Sequence, residues 1–444
     1  MHGPNKIGLT AKQYHLFDQI INQLNITIKD EKYIEEHKDG EKSFSRDRLL
    51  TFRVLIGFLM TNLQKGLQRE ISLFKDAIEV DGGRIPEVTK AAFSKARLKL
   101  KPSAFKELSD IVAAKFYESD EALTWHGYRV LGVDGSSVEV PNSEEIKEKY
   151  GVFTRRNDGK AICMAQMLTV YDTLNHITLH GAMDRFEKSE ITMLWECLPN
   201  LKLNKNDVLV FDRGYPSHLL FFYLRKLKVQ FCFRMPKNWF EVNRFDRSGK
   251  SSDIITIALP LEQRAKAVEL GIKEVRFKCR MVRVELEGGE TEILLTSLTD
   301  EKEFSVTDLK ELYGLRWPIE DSYKTFKHKV CIANFSGKSE KAVLQDFYVK
   351  IFIMNLTAVA VRPINEALKK ESVKVKHTHQ VNVIEAIATM KRAVVSFFVT
   401  NQIASGIFRL YGRISKITEP IRPGRKFKRN HQPKRKHYMN YKPV

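Results

Sequence analysis

Two aspartates follow short, strongly apolar runs of the chain, where carboxylates could hold metal ions. Asp134 ends the run YRVLGVD (128–134), and Asp212 ends the run DVLVFD (207–212). Both runs predict β-strands, and the ends of neighbouring strands meet at one rim of a sheet, where α/β folds place their chemistry. Two carboxylates at that rim repel each other, and Mg²⁺ or Mn²⁺, which prefer oxygen ligands, would join them. Such a site can hold two metal ions about 4 Å apart for phosphoryl transfer.

A structural role for these aspartates is the alternative interpretation. Aspartate at the end of a strand commonly forms a turn or caps a helix, and each of the two, taken singly, is more often structural than catalytic. Asp172, Asp184 and Asp207 lie nearby in the sequence, and spacing alone does not exclude them. The choice among these carboxylates therefore stays open at this point.

The segment YGLRWPIEDSYKTFK (313–327) surrounds its candidate acid, Glu320, with cations and an aromatic hydroxyl. If one helix carried the whole segment, four side chains would fall within an arc of roughly 60°. These are Tyr313, Arg316, Glu320 and Lys327. One acid among bases suits a metal ligand flanked by phosphate contacts, and arginine can bind phosphate through two hydrogen bonds. Lys324 and Lys329 add positive charge nearby.

Pro318 makes one continuous helix costly, because proline in a helix interior removes a hydrogen bond and clashes with the preceding turn. A helix that begins at about Trp317, with Pro318 and Glu320 in its first turn, fits better. Tyr313 then belongs to the preceding helix, and a shared face is expected only for Glu320 and Lys327. An ordinary amphipathic helix is the alternative, and its buried side would hold Trp317, Ile319, Tyr323 and Phe326.

Strands that alternate with helices around these residues predict a mixed α/β core. The elements expected are a hairpin at 162–182, a helix at 216–227, a strand at 229–235 and a β-rich insertion at about 236–300 with a turn at Gly288-Gly289. After residue 305 the pattern is helical to about residue 398. Residues 1–120 also read as mostly helical.

Two segments carry concentrated positive charge. Residues 88–106 hold six Lys/Arg and no acid. Two short helices there, the second beginning at about Pro102, predict either a helix-turn-helix-like DNA reader or the solvated face of a small bundle. Residues 422–444 hold nine Lys/Arg and no Asp or Glu, which favours contact with nucleic-acid phosphates over a merely solubilising tail.

The composition is typical of a folded protein that binds nucleic acid. Of 444 residues, 74 are Lys or Arg and 54 are Asp or Glu, and the net charge of +20 favours a polyanionic partner. Hydrophobic residues make up 43%, which excludes global disorder. Five scattered cysteines without a CxxC pair argue against disulfides and a cysteine zinc site. Apolar runs at 49–60 and 351–361 fall short of the roughly 18 residues that span a bilayer, and no signal peptide is visible, so a cytoplasmic protein without a membrane partner is expected.

The pattern Tyr-x2-Arg-x3-Glu-x6-Lys in 313–327 resembles the signature of bacterial DDE transposases of the insertion sequence 4 family. VDGSSVEVP (133–141) resembles the segment that carries the family's first catalytic aspartate, and FDRGYPS (211–217) resembles the second. RWPIEDSYKTFK (316–327) resembles the segment of the catalytic glutamate. The long gap between the second and third segments leaves room for the family's β-rich insertion.

The resemblance implies a ribonuclease H-like mixed-sheet core, with Asp134, Asp212 and Glu320 as catalytic ligands of two Mg²⁺ ions that Mn²⁺ can replace. It further implies that basic and aromatic neighbours contact DNA, namely Tyr313, Arg316, Lys327, Lys324 and Arg213. The catalytic domain would span 121–365, with the insertion at about 236–300. A helical DNA-binding region at 1–120 and a helical region at 366–444, with the basic tail 422–444, would flank it.

The implied activity is cut-and-paste movement of an insertion sequence with inverted terminal repeats. Water nicks a strand at the element end, the freed 3′-OH attacks the opposite strand to form a hairpin, water reopens it, and the 3′-OH attacks target DNA. The implied partners are double-stranded element ends and target DNA, bound by a homodimer on the bacterial nucleoid. The tyrosine is expected to contact phosphate, because no covalent protein–DNA intermediate is needed.

The sequence departs from the family at one position. Some members carry a tryptophan just before the last insertion strand, which stacks on a base flipped out near the hairpin. Here TEILLTS (291–297) has no tryptophan, and Glu292 occupies that place. Trp239 and Phe240, earlier in the insertion, are weak substitutes, and the use of a hairpin is therefore open.

Two other functions remain as alternatives. The chain could be a metal-dependent DNA nuclease that cuts without strand transfer. It could also be a non-catalytic DNA-binding protein derived from such an element, although the presence of all three carboxylates argues against a decayed site.

Overall fold

The computed structural model describes residues 14–45, 50–61, 66–154, 159, 161–285, 289–325, 332–371 and 377–422. The chain divides into two compact units. The helical unit comprises Met1–Glu121, Val138–Met164 and Thr325–Val444, and the sheet unit comprises Ala122–Ser137 and Ala165–Lys324. The basic tail, residue 422 apart, lies outside the described residues.

The helical unit is built from ten helices and three short strands among the residues that the structure describes. The helices are α1 (His15–Lys29), α2 (Glu31–His37), α3 (Phe52–Met60), α4 (Leu67–Val80), α5 (Lys90–Arg97), α6 (Ser103–Tyr117), α7 (Glu144–Tyr150), α14 (Glu340–Glu371), α15 (Val383–Phe398) and α16 (Ile403–Ile414). The strands are β2 (Val152–Thr154), β10 (His379–Val381) and β11 (Thr418–Pro420). The helical reading of residues 1–120 is therefore confirmed for the described part of that segment.

Helix α14 forms the centre of the helical unit and packs against α3, α6 and α15. It is long and apolar enough to cross a bilayer, but 72% of its most apolar stretch is buried inside the protein. A core helix of a folded domain has this character, because it is covered by other helices on most sides. The apolar run at 351–361 is thus part of a buried core helix.

The basic segment 88–106 contains the short helix α5 and the first turn of α6, which continues to Tyr117 and is therefore longer than predicted. Thr89 caps α5 by accepting a hydrogen bond from the backbone N–H of Ala92. Its six cations differ in exposure, and Lys99, Lys101 and Lys106 are half-buried. Arg97 is buried and pairs with Asp346 at 2.6 Å, so it stabilises the core. Lys90 and Lys95 are exposed on α5.

The sheet unit holds most of β1 (Arg129–Glu139) and of β3 (Ala161–Asp172), whose remaining residues belong to the helical unit. Its other strands are β4 (Ile177–Arg185), β5 (Asp207–Phe211), β6 (Gln230–Arg234), β7 (Ser252–Ala258), β8 (Arg276–Glu285) and β9 (Thr291–Thr296). Its helices are α8 (Glu190–Cys197), α9 (His218–Lys226), α10 (Phe240–Arg247), α11 (Arg264–Glu269), α12 (Val306–Gly314) and α13 (Trp317–Lys324). The mixed α/β fold predicted from the sequence is confirmed.

One sheet runs through this unit in the order β3-β1-β5-β6-β9-β8-β7, with β4 paired to β3. The strands β1, β5 and β6 are parallel, and β3 and β4 form the expected antiparallel hairpin. Strand β5 is buried along its whole length, as is typical of a parallel strand with both faces covered. This parallel trio carries the candidate site at one end.

The β-rich insertion continues the central sheet. Its last strand, β9, pairs antiparallel with β6, which joins β8 and β7 to the same sheet. The central residues of β6 and β9 are apolar and buried, so pairing of the two strands extends the core of the sheet. Of the expected Gly288-Gly289 turn, only Gly289 lies within the described residues, and its φ of 81° is the left-handed backbone that favours glycine.

Candidate active site

Asp134 and Asp212 leave the same end of the parallel pair β1–β5. The pairing runs from Arg129↔Asp207 to Val133↔Phe211, so the next residue of each strand is one of the two aspartates. Strand β5 ends there as predicted. Strand β1 does not, because it stays in the sheet as far as Glu139 beside its other neighbour β3. The prediction that Asp134 ends its strand is therefore wrong, although its place at the rim is the expected one.

Glu320 lies in the first turn of α13, and Tyr313 lies in α12, as the proline predicted. Two contacts hold α13 on strand β1. Ile319 packs over Gly132, where an added Cβ would lie only 3.5 Å from the isoleucine side chain. Tyr323 donates a hydrogen bond to the backbone oxygen of Asp134 at 2.7 Å. Helix α13 is thereby fixed directly beside the first aspartate.

The guanidinium of Arg316 is the cation shared by the three carboxylates. It donates to Glu320 at 2.7 Å. Its charge contributes to the lowered pKa of Asp212 and opposes the rise in the pKa of Asp134. Arg316 is 3% exposed, and its Nε has no hydrogen-bond partner among the described residues. The site therefore contains its own counter-ion and one buried donor that no described group satisfies.

Asp212 is held in its charged form by its surroundings. Burial raises the pKa of this carboxyl, but four neighbours together outweigh burial, and the net pKa is lowered. They are the backbone N–H of Arg213, the guanidinium groups of Arg316 and Arg234, and the hydroxyl of Tyr313. The Tyr313 hydroxyl donates to Asp212 at 3.2 Å, so here it contacts a carboxylate.

Asp134 has the opposite environment. Burial and the nearby charge of Glu190 raise the pKa of Asp134 to about 7, and the more distant Glu320 adds to the rise. Arg316 and the backbone N–H of Gly135 oppose it only in part. Two aspartates at one rim thus differ in their affinity for protons, which is a frequent property of functional sites.

The three carboxylates share one rim without forming a closed cluster. Among the described residues, one group of three possible metal ligands has its donor atoms within 4.8 Å of one another, namely Glu36, His37 and Glu107 of the helical unit. The oxygens of Asp134, Asp212 and Glu320 are therefore not all within that distance. The His37 ring is already bonded to Ser103 and Glu107, as in a structural pair.

The donor set of the rim fits a hard divalent cation. It consists of carboxylate oxygens, which Mg²⁺ and Mn²⁺ prefer. The unsatisfied Nε of Arg316 lies on the same side chain that now pairs with Glu320. If a metal ion bound the Glu320 carboxylate, the guanidinium of Arg316 would lose this partner and could donate hydrogen bonds to an anionic ligand such as a phosphate.

The other candidate DNA contacts lie in different surroundings. Lys324 is exposed and pairs with Asp321 at 2.6 Å, and Arg213 is exposed beside Asp212. Lys327 lies outside the described residues, as does Phe326. Trp317, expected on the buried side of an amphipathic helix, is 50% exposed, whereas Ile319 and Tyr323 are buried.

The competing aspartates have structural partners. Asp207 accepts two hydrogen bonds from Arg129, each of 2.8 Å, at the opposite end of the paired strands. Asp172 caps the turn of the β3–β4 hairpin by accepting from backbone N–H groups. Asp184 pairs with Lys188 at 2.6 Å. The positions and partners of these side chains therefore favour Asp134 and Asp212 over Asp172, Asp184 and Asp207 as the candidate metal ligands.

Glu292, at the place of the family's tryptophan, is buried and forms an ion pair with Arg234. Arg234 also lies 3.5 Å from Asp212, because it is the last residue of β6, the strand next to β5. Trp239 stacks on His218 with ring centroids 4.6 Å apart, and Phe240 is 74% exposed. The substitution thus places a carboxylate and its arginine beside the second aspartate.

Sequence reasoning missed Arg234 and Glu190. Arg234 had a usable signal, since it ends the third parallel strand just as Asp212 ends the second. The sequence contains no comparable signal for Glu190. This residue begins α8 after a hairpin, and it comes close to Asp134 only through the tertiary fold.

Comparison with known proteins identifies the family. The family described as "Transposase DDE domain" matches residues 125–356, more than half of the chain, and the match includes the three rim carboxylates. Transposase InsG for insertion sequence element IS4, from Escherichia coli (strain K12), is 22% identical over 296 residues, which cover 65% of this chain and 64% of that protein. The chain thus spans less than two thirds of this relative's length. A cryo-EM structure of the piggyBac transposase synaptic complex with hairpin DNA has a TM-score of 0.46 at 9% identity, covering 88% of this chain and 85% of that one. Because this family match covers more than half of its length, the chain belongs to the DDE transposase family.

Proposed function

We propose that this protein catalyses cut-and-paste transposition of an insertion sequence by cleaving and transferring DNA strands at its terminal inverted repeats. The observation that carries the proposal is the convergence of Asp134, Asp212 and Glu320 around Arg316, within residues that match the transposase domain. We further propose that it acts in the cytoplasm, on DNA of the nucleoid.

Proteins of this family generally use divalent metal ions. We propose that Asp134, Asp212 and Glu320 hold two Mg²⁺ ions, with Mn²⁺ as a substitute. When bound, such ions activate the attacking oxygen and stabilise the leaving oxygen of a phosphoryl transfer.

The protein's own groups would position the DNA. Arg316, released from Glu320, would bind a phosphate of the scissile strand, and Lys324, Lys327 and Arg213 would hold neighbouring phosphates. Tyr313 would align Asp212 and contact phosphate through its hydroxyl. Its hydroxyl donates to Asp212, and burial raises the pKa of this phenol to about 12, so it stays protonated at neutral pH.

Each step uses the same in-line chemistry with a different nucleophile, so one site serves all of them. Water cuts the element end, and the released 3′-OH attacks the opposite strand to form a hairpin. A second water molecule reopens the hairpin and frees the 3′-OH again, and this 3′-OH attacks the target. No bond between protein and DNA is formed. We propose a homodimer on paired ends as the working form, since each element has two ends to process.

The experiment that tests this function places the DNA flanking the gene on a supercoiled plasmid with purified protein and Mg²⁺. We expect excised element, hairpin ends and strand-transfer products from the wild type and none from Asp212→Asn. Nicked plasmid without any transfer product would instead support a metal-dependent nuclease. Binding of the ends without cleavage would support the DNA-binding alternative.

We propose the region 1–120 as a DNA-binding region, with α5 as one contact. Its exposed surface carries small and basic side chains that allow a close approach to the phosphate backbone, namely Lys90, Ala91, Ala92, Ser94 and Lys95. The regions proposed around it are a catalytic domain at 121–365 and a helical region at 366–444, whose basic tail adds phosphate contacts.

The double variant Lys90→Gln/Lys95→Gln is expected to weaken binding of all DNA sequences and to lower the salt-dependence slope, log Kd against log salt, by about 2. Each lysine that neutralises a DNA phosphate releases about one counter-ion from the DNA on binding, so a variant without two such lysines releases about two fewer. Fluorescence anisotropy across a salt series measures the slope. The control is Lys32→Gln/Lys115→Gln, which removes the same charge from α2 and α6. Equal slopes for all proteins would mean that α5 is only a solvated face.

A further inference from the structure

A fourth carboxylate, that of Glu190, lies beside Asp134 at the rim. Glu190 is the first residue of α8 and follows the capping residue Ser189. Position 135 has room for it only because it is glycine, since an added Cβ would lie 2.1 Å from the Glu190 carboxyl carbon. The carboxylate therefore lies directly over the backbone that follows Asp134.

Two buried side chains fix the orientation of this carboxylate. Tyr215, 2% exposed, donates to one oxygen at 2.7 Å, and Gln166, 9% exposed, donates to the other at 3.1 Å. Tyr215 belongs to the same tight turn as Asp212, because its backbone N–H bonds to the Asp212 carbonyl at 3.2 Å. Glu190 is thus tied to the segments of both aspartates.

The charge of Glu190 has no cationic partner within the part of the chain that the structure describes. Arg316 pairs with Glu320, and Arg234 pairs with Glu292 and lies near Asp212. Asp134 likewise has no ion pair among the described residues. Neutral donors hold the Glu190 carboxylate beside Asp134, and the guanidinium of Arg316 is paired with Glu320.

Two adjacent carboxylates raise the free energy of the folded protein when no cation lies between them, and a bound cation lowers it. Close like charges destabilise a buried site, and a divalent ion placed between them converts the repulsion into binding energy. The buried Nε–H of Arg316, on the same rim, has no acceptor among the described residues. As a donor it fits an anion or a water molecule, including a water in the shell of a bound ion.

We propose that Glu190 is a fourth carboxylate of the metal site and holds the ion bound at Asp134, either directly or through a water molecule in that ion's shell. The inference rests on the proposed function of the rim. Tyr215 and Gln166 are then positioning residues, because they orient Glu190 without contacting the metal.

The test measures Mn²⁺ binding to the full-length protein without DNA, at a fixed pH of 8, from the electron paramagnetic resonance signal of free Mn²⁺. We expect Glu190→Gln to weaken Mn²⁺ binding by about 10- to 100-fold, the usual effect of altering a metal's supporting shell. Glu187→Gln, three residues earlier and exposed, is the matched control and is expected to bind as the wild type does. Tyr215→Phe is expected to weaken binding less than Glu190→Gln.

Anomalous scattering from Mn²⁺ in crystals of the wild type provides a second measurement that needs no variant. We expect an ion within coordination distance, or one water, of the Glu190 carboxylate. Wild-type affinity in Glu190→Gln, or ions found only at the other three carboxylates, would overturn the inference. If Asp134→Asn also bound Mn²⁺ like the wild type, the proposed function of the rim would fail with it, so the two failures are distinguishable.

Discussion

Glu320→Gln is expected to reduce strand cleavage by at least about a thousandfold. The amide keeps the size of the side chain and can still accept a hydrogen bond from Arg316. It removes the negative charge through which the residue would bind a metal ion, and loss of such charge stabilisation costs several kcal/mol in the transition state. About 4 kcal/mol corresponds to a thousandfold in rate. Single-turnover cleavage of a labelled element end measures the effect.

The neighbouring Asp321 provides the matched control for Glu320. Its side chain is 72% exposed and pairs with Lys324 at 2.6 Å, so it carries the same charge one residue away but faces solvent. Asp321→Asn is expected to cleave within about twofold of the wild type, because exposed ion pairs contribute little. Full cleavage by Glu320→Gln, with protein and DNA binding intact, would contradict the assignment of the third carboxylate.

Asp134→Asn is expected to stabilise the metal-free protein, although it should abolish catalysis. The pKa of Asp134 rises from 3.8 in the reference state to about 7 in the folded protein. Well below pH 3.8 the carboxyl is protonated in both folded and unfolded chains and has no effect on the free energy of unfolding. As the pH rises toward 7, the unfolded chain loses its proton first, so the wild type loses stability progressively, and the loss is complete above pH 7.

The asparagine variant does not lose stability in this way, so its advantage over the wild type is small at pH 4 and full at pH 8. Since each pKa unit corresponds to about 1.4 kcal/mol, we expect a gain of roughly 2 to 4 kcal/mol at pH 8. Thermal unfolding in EDTA at both pH values measures it. Addition of Mg²⁺ should reverse the order, because the wild type gains binding energy that the variant lacks. Equal melting temperatures of the two proteins at pH 8 in EDTA would contradict the raised pKa of Asp134.

Local patterns predicted the elements of the sheet and the break between α12 and α13. The buried run of β5 and the proline at position 318 are signals contained within a few residues, and both indicated the correct element. The length of β1 was not predictable in this way. Its polar residues after Asp134 resemble a loop, and they stay extended because a neighbouring strand continues beside them.

The site was predictable in composition but not in its internal contacts. Strand ends and a four-residue signature indicated the three carboxylates. The pairing of Arg316 with Glu320 and the approach of Glu190 to Gly135 depend on distances across the fold that no spacing encodes. The buried pair of Arg97 and Asp346 could not be predicted from the sequence either. Arg97 lies in the basic segment 88–106, for which DNA contact was one of the two predictions.

Only Leu315 and Arg316 lie between α12 and α13. One residue gained or lost in this junction would turn α13 by about 100° and carry Glu320 away from the rim. A decayed genomic copy could therefore keep every signature residue and still be inert. A genome survey that scores copies of such an element only by the three acidic residues would count this copy as active. The changed length of the junction between α12 and α13 would identify it as inactive.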